Sequence, residues 1–162
     1  MHSRIFQITT EQVERENYLN EDTLEQGDNV LIDYCAEIDD DEREENIACL
    51  VDDILPKGMF TRMGANIIRY NGGIEQWKEE IISKIRTFAA DLTTDNLFQY
   101  STHKSLKNVV TDPLGAGALF YTNEDGTQDW AESSYDFMEL INNLEAGTLL
   151  YIGGVIDGYY IN

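Results

Sequence analysis

Carboxylates dominate the side chains of this chain that could do chemistry. Of its 162 residues, 31 are Asp or Glu and 11 are Lys or Arg, so the formal net charge is −20. The densest group lies within residues 39–53: Asp39, Asp40, Asp41, Glu42, Glu44, Glu45, Asp52 and Asp53. Carboxylates at this density can attract a basic protein over a long range, and carboxylate oxygens can also bind divalent cations.

A second group of oxygen ligands matches part of a twelve-residue calcium-binding loop at residues 121–132. Gly126 falls at position 6, and potential ligands fall at positions 3, 5, 9 and 12: Asn123, Asp125, Asp129 and Glu132. Position 1 is Tyr121, where such a loop needs a carboxylate, and the flanking sequence is typical of a strand rather than a helix. A tight turn is the alternative interpretation of the same residues.

The cysteine and histidine residues give little indication of catalysis or of a zinc site. Cys35 and Cys49 lie among apolar residues at helical spacing, which predicts two buried free thiols. His103 has polar neighbours, so we expect it at the surface, away from either thiol. Without a Cys–His pair or closely spaced zinc ligands, we assign no catalytic residue and expect no cofactor.

Residues 112–117, Asp-Pro-Leu-Gly-Ala-Gly, form the one glycine-rich segment that could approach a ligand closely. The segment lacks the Gly-Lys-Ser/Thr ending of a phosphate-binding loop and the third glycine of a dinucleotide-binding loop. We therefore interpret it as a plain loop that leads into a strand.

The pattern of apolar residues predicts the elements of the first part of the chain. Alternation predicts a strand over residues 3–9, and the polar segment 10–29 predicts a loop or a short surface helix. Helical spacing links four later residues: Leu31, Tyr34, Cys35 and Ile38. Asp39 is expected to cap another helix, which ends at Pro56. The predicted buried face of that helix is Ile47, Leu50, Val51, Ile54 and Leu55.

The middle of the chain predicts a hairpin followed by two helices. The hairpin covers residues 59–71, and Gly72-Gly73 precedes the first helix. The expected buried positions of this helix are Ile74, Trp77, Ile81, Ile82, Ile85, Phe88 and Leu92. A shorter helix is expected within residues 95–107.

The last third predicts a strand, a helix and a terminal hairpin. The strand covers residues 117–122, and Ser133–Asp136 resembles a capping box with Asp in place of the usual Glu. The helix that follows is expected to bury Phe137, Leu140, Ile141 and Leu144 and to end at Gly147. A further strand covers residues 148–156, and Asp157-Gly158 predicts a turn back through residues 159–161.

These elements predict a single α+β domain over residues 1–162. Strands are bounded by hairpins as often as by helices, which favours a mainly antiparallel sheet over a doubly wound one. We expect about five to six strands with three to five helices packed on them.

The charge is distributed unevenly along the chain. Residues 1–55 carry a net charge of −14, residues 56–107 carry +3, and residues 108–162 carry −9 without any Lys or Arg. Such acidity repels nucleic acid and anionic membranes, so we expect neither as a direct ligand. We expect a cytoplasmic protein, because residues 1–9 turn polar too early for a signal peptide and the apolar stretch 146–156 is too short to cross a bilayer.

Three hypotheses for function follow from this chemistry. The first is a non-enzymatic interaction protein whose carboxylates at residues 39–53 bind a basic partner, as a DNA mimic or an inhibitor of the immunity-protein type would. The second is a small ligand- or divalent-cation-binding protein, or an enzyme, that uses surface carboxylates. The third is an acidic surface that serves solubility only, with an apolar homodimer interface.

Overall fold

The computed structural model of the chain describes residues 2–160, which form one six-stranded sheet and four helices. The strands are β1 (His2–Thr9), β2 (Ile32–Glu37), β3 (Phe60–Gly64), β4 (Ile67–Tyr70), β5 (Leu119–Tyr121) and β6 (Leu149–Tyr160). The helices are α1 (Asp40–Cys49), α2 (Ile74–Ala90), α3 (Tyr100–Thr111) and α4 (Ser134–Asn142). The predicted α+β class with a mostly antiparallel sheet is confirmed.

The long strand β6 organises the sheet. One of its edges pairs with β1 in antiparallel orientation. Its other edge pairs with β4 near Leu149–Tyr151 and with β2 near Ile156–Tyr160. β3 extends the sheet beyond β4, and β5 pairs with β1 in parallel, so the sheet is mixed.

The sheet separates two apolar clusters, because successive side chains of a strand point to opposite faces. Phe6 and Ile8 of β1 pack in the larger cluster, which also contains Leu50 and the buried side chains of α4. Phe120 and Phe137 stack there with ring centroids 4.1 Å apart. Ile5 of β1 belongs to the smaller cluster, which is covered by apolar side chains from the segment before β2: Leu19 and Leu24.

The segment of residues 10–29 is mainly irregular, with a single 3₁₀ turn at Arg15–Asn17. Its end protects the free edge of β2. The Gln26 side-chain oxygen accepts a hydrogen bond from the Cys35 N–H at 2.7 Å, and the Gly27 N–H donates to the Ile32 carbonyl at 3.0 Å. These bonds use backbone groups that an edge strand would otherwise expose to another chain.

The helix predicted from Leu31, Tyr34, Cys35 and Ile38 is wrong, because these residues belong to or flank β2. The register of β2 against β6 shifts between Ile32 and Tyr34, which leaves Asp33 as an extra residue. Ile32 and Cys35 are therefore both buried although they are three positions apart. A bulge in a strand thus imitates the spacing of a helix face.

The turn predicted at Asp157-Gly158 is also wrong, because β6 continues through both residues. Gly158 lies where β1 approaches closely, since a Cβ there would come within 2.9 Å of the Ile5 side chain. The Asp157 carboxylate contacts the His2 imidazole at 2.7 Å. A contact partner on β1, rather than a turn, therefore accounts for these two residues. Of the predicted return strand, Ile161 lies outside the described residues.

The other predicted elements are largely confirmed, with changes at their ends. The hairpin of residues 59–71 is β3 and β4, residues 117–122 contain β5, and the Ser133–Asp136 capping box opens α4. Asp39 caps α1, which continues into a π-helical turn over Leu50–Ile54 before Pro56. The helix predicted within residues 95–107 is α3, which is shifted toward the C-terminus.

Three details of these elements differ from the prediction. Gly147 adopts a φ of 93° in the turn before β6 and does not end α4, whose cap is Asn143. In α2, only Ile74 of the predicted buried positions is buried, because α2 packs mainly against α3, which has no buried residue of its own. Cys49 is exposed rather than buried.

Within residues 2–160, no helix combines the length and apolar character that crossing a bilayer requires.

Candidate interaction surface

The N-terminal half of α1 is rich in exposed carboxylates, and the first turn of a helix is where acidic residues are most favourable. The Asp39 side chain accepts a hydrogen bond from the Glu42 N–H at 2.8 Å and so caps the helix. Asp40, Asp41 and Glu42 follow in the first turn, where negative charge interacts favourably with the helix dipole. Ile47 and Leu50 face the core, so the acidic side chains are directed away from it.

The α1 acidic surface comprises the eight carboxylates of Asp39, Asp40, Asp41, Glu42, Glu44, Glu45, Asp52 and Asp53. Two of them are paired with arginines. Arg4 contacts Glu42 and Arg62 contacts Glu44, each with a nitrogen–oxygen distance of 2.7 Å. The hydrogen bond from Arg62 lowers the pKa of Glu44 below its usual value.

The other six carboxylates are exposed, and within residues 2–160 none has a Lys or Arg nitrogen within 4.0 Å. Asp41, Glu45 and Asp52 are spaced by four and seven residues, so α1 and the π-helical turn carry them close to one line along the helix. The structure therefore brings three of the predicted partner-binding residues, Asp41, Glu45 and Asp52, together on one exposed side of α1.

Arg43, the single basic residue within residues 39–53, is directed toward β6, although the charges of Asp40 and Glu44 still act on it and favour its charged form. Its guanidinium donates hydrogen bonds to the carbonyls of Gly153 at 2.6 Å and Ile152 at 3.4 Å. It also lies over the Tyr18 ring, 5.5 Å from the centroid. Burial is the main cause that lowers the pKa of Arg43. Its guanidinium is bound to β6 and, among residues 2–160, has no carboxylate oxygen within 4.0 Å.

The residues of the predicted calcium loop serve a turn instead of converging on one point. The Asn123 side-chain oxygen accepts hydrogen bonds from the backbone N–H groups of Asp125 and Thr127, at 3.0 and 3.1 Å. Thr127 also donates to Asp125, and this hydrogen bonding lowers the pKa of Asp125. Glu132 accepts a hydrogen bond from Thr122 at 3.3 Å, and burial raises its pKa.

Among the described residues, no three His, Cys, Asp or Glu side chains come together as metal ligands. Asp125, Asp129 and Glu132 of the predicted calcium loop are among the side chains that do not come together.

The two thiols and the histidine lie in different surroundings. Cys35 is buried in the smaller apolar cluster, and burial raises its pKa to about 11, which keeps the thiol protonated at neutral pH. The pKa of the exposed Cys49 thiol is also raised, by partial burial and then by Asp53. His103 is exposed on α3, and its ring contacts the Leu97 carbonyl.

The glycine-rich loop of residues 112–117 is closed by its own hydrogen bonds. The Asp112 carboxylate accepts from the Gly117 N–H at 2.8 Å and from the Ser134 hydroxyl at 2.5 Å. The Ser134 oxygen in turn accepts from the Leu114 N–H at 3.3 Å. These bonds fasten the loop to the start of α4, as expected for a structural connection.

Sequence reasoning missed the residues that decide which carboxylates remain unpaired. Arg4 lies on β1 and Arg62 on β3, and both reach α1 from strands far away in sequence. The sequence shows that these positions are basic, but it does not show which carboxylates they contact, because the contacts depend on how the strands and α1 pack together.

Comparisons with protein-family models, with curated proteins and with solved structures found no match to this chain.

Proposed function

We propose that this chain is a non-enzymatic interaction protein of the cytoplasm that binds a basic protein through the α1 acidic surface. The observation that supports this proposal is the set of six exposed carboxylates without a cationic partner among residues 2–160. Exposed charges of one sign accelerate the encounter with an oppositely charged partner and reject partners of the same sign.

The spacing of the charges favours a partner that normally binds phosphates. A helix rises about 1.5 Å per residue, so the six unpaired carboxylates within residues 39–53 span about 21 Å of axis, with an average interval of about 4 Å. One strand of B-DNA carries a phosphate about every 3.4 Å. A surface of this density would compete with DNA for the basic groove of a nuclease or another DNA-binding protein. The chain would then act as an inhibitor of that protein.

The anchoring of α1 is consistent with this role. Ile47 and Leu50 are fully buried, and Arg43 is bonded to the carbonyls of β6. The backbone that carries the carboxylates is therefore fixed before a partner arrives, and binding needs little ordering of the chain.

The test compares two variants that lose the same number of negative charges. The α1 variant combines Asp40→Asn, Asp41→Asn, Glu45→Gln and Asp52→Asn. The control variant changes four exposed carboxylates of the segment before β2: Glu21→Gln, Asp22→Asn, Glu25→Gln and Asp28→Asn. Both sets lie outside the core, so both variants are expected to fold. The immobilised proteins are used to capture basic proteins at low and at physiological salt, and the affinity of each captured protein is then measured.

We expect a partner whose affinity falls at least about tenfold with the α1 variant and stays nearly unchanged with the control variant, which corresponds to about 1.4 kcal/mol. High salt should weaken its binding to the unaltered chain. Equal losses with both variants would mean that bulk charge, and not the α1 acidic surface, is responsible. The absence of any bound basic protein at low salt would contradict the proposal.

A further inference from the structure

The helix α2 leaves an apolar surface open. Its residues Ile81, Ile82 and Ile85 line a groove of about 340 Å³, together with Val109 and Val110 of α3 and Tyr135 of α4. Ile82 is 46% exposed, Val110 is 42% exposed, and Tyr135 is 52% exposed. The groove and these exposed side chains form one patch. The patch therefore offers a cleft and also carries apolar side chains that could fill the cleft of another copy.

Charged residues flank Ile82 in a specific order along α2. Glu79, Ile82 and Arg86 follow at spacings of three and four, so they share one exposed side of the helix. Within residues 2–160, neither Glu79 nor Arg86 has an oppositely charged group within 4.0 Å. The nearby Lys78 is already paired with Glu75, at 2.6 Å. These three residues therefore form a stripe along α2 in which an apolar side chain lies between an acidic and a basic one.

This order is complementary to itself in the antiparallel direction. If two α2 helices cross antiparallel next to Ile82, Glu79 of each copy faces Arg86 of the other, and the pair occurs twice. The two Ile82 side chains then meet at the centre. A twofold axis requires such a self-complementary patch. If a first residue of one copy contacts a second residue of the other copy, the same contact also forms with the two copies exchanged.

We propose that this face binds a second copy of the chain, in a symmetric dimer with antiparallel α2 helices. A partner with charges of only one sign would match one of these two residues, whereas a second copy carries both charges in the matching order. The dimer would bury the exposed side chains around the groove, and burial of such side chains is the usual driving force of homodimer interfaces. This proposal concerns α2 and does not depend on the α1 acidic surface.

The experiment measures the dissociation constant of the dimer by sedimentation velocity of the full chain, from low to high micromolar concentration. Glu79→Arg and Arg86→Glu are tested separately and then together. Each single change places like charges opposite each other, whereas the double change restores opposite charges with their positions exchanged. Ile82→Glu is tested against Leu31→Glu, which alters an exposed leucine next to β2 by the same charge.

We expect the unaltered chain to dimerise, and each single charge reversal to weaken the dimer by about tenfold. The double variant should regain most of this loss, Ile82→Glu should remove the dimer, and Leu31→Glu should leave it unchanged. Circular dichroism of each variant shows whether the chain is folded. If one single variant unfolds, the dissociation constant of the double variant still tests the proposed pairing. A monomer at every concentration would overturn the proposal. A dimer whose double variant is as weak as the singles would overturn the antiparallel arrangement.

Discussion

Gln7 lies in the middle of β1, and its side chain is completely buried. Its nitrogen donates hydrogen bonds to the carbonyls of Asn17 and Asn123, each at 3.0 Å. Its oxygen accepts hydrogen bonds from the N–H groups of Leu19 at 2.7 Å and Gly154 at 2.8 Å. All four hydrogen-bonding positions of the carboxamide are therefore used. This one side chain connects β1 with β6 and with two irregular segments.

The bulge in β6 makes room for this arrangement. The register of β1 and β6 shifts between Phe6 and Ile8, so that Gly153 and Gly154 lie opposite Gln7. A Cβ at Gly153 would overlap the Gln7 carboxamide, and a Cβ at Gly154 would overlap the Leu19 backbone. Glycine is required here because of the close approach.

Replacing Gln7 by leucine is expected to lower the free energy of unfolding by about 3–5 kcal/mol, because backbone groups from three segments lose their partner in a buried place. Urea denaturation of the variant and the unaltered chain measures this difference. The control is Gln12→Leu, which changes an exposed glutamine of the neighbouring segment and should have an effect within about 0.5 kcal/mol. Similar stabilities of the two variants would show that the Gln7 hydrogen bonds contribute little.

Alternation predicts β1 correctly, but it gives no indication that the polar side chain at position 7 is buried. The burial of Gln7 cannot be derived from local sequence, because its partners are Asn17, Leu19, Asn123 and Gly154. Only the assembled sheet brings these groups to one place.

At the scale of elements, the N-caps of α1 and α4 were predictable because their chemistry is local. The capping box of α4 needs only Ser133 and Asp136, and both of its hydrogen bonds are present. The outcome was different for β2 and for the end of β6. In β2 a bulge changed the spacing of buried residues, and in β6 an Asp-Gly pair was held in the strand by contacts with β1. Such contacts leave no signature in the local pattern.

The capping box of α4 gives a second stability prediction. Ser133→Ala removes the oxygen that accepts from the Asp136 N–H, so the free energy of unfolding should fall by about 1 kcal/mol. Ser133→Thr keeps a hydroxyl at the cap and should recover most of this loss. Thermal and urea denaturation of both variants measure the effect. An alanine variant as stable as the threonine variant would show that the cap hydroxyl is not needed.

At the scale of the whole molecule, the net charge of −20 opposes the compact state. The sequence predicted the helix that carries eight of the 31 carboxylates, because Asp39 caps this helix and buried apolar residues orient it. It could not predict which carboxylates are neutralised, since Arg4 and Arg62 reach α1 across the fold. The dipolar stripe of α2 was missed for a similar reason. Its apolar residues were expected in the core, but too few elements cover α2 to bury them.

Added salt should stabilise this protein. Sodium chloride screens the repulsion among the carboxylates more than it weakens the few ion pairs, so the urea midpoint should move to higher concentration. The α1 variant with four neutralised carboxylates should show a smaller increase, because part of the repulsion is already removed. The measurement is urea denaturation at low and high sodium chloride. A midpoint that falls with salt would mean that ion pairs outweigh repulsion.

The central pairing of β1 with β6 also implies a delay during synthesis of the protein, because β1 is made long before its partner strand. Gln7 and Gly154 are 147 positions apart, so the first strand leaves the ribosome long before its neighbour exists. At synthesis rates of about 5–20 residues per second, this interval lasts on the order of ten seconds. During that interval Ile5, Phe6 and Ile8 have no sheet partner on the β6 side. The nascent chain must therefore keep these three apolar side chains in solution, and the acidic segment that follows β1 is well suited to do so.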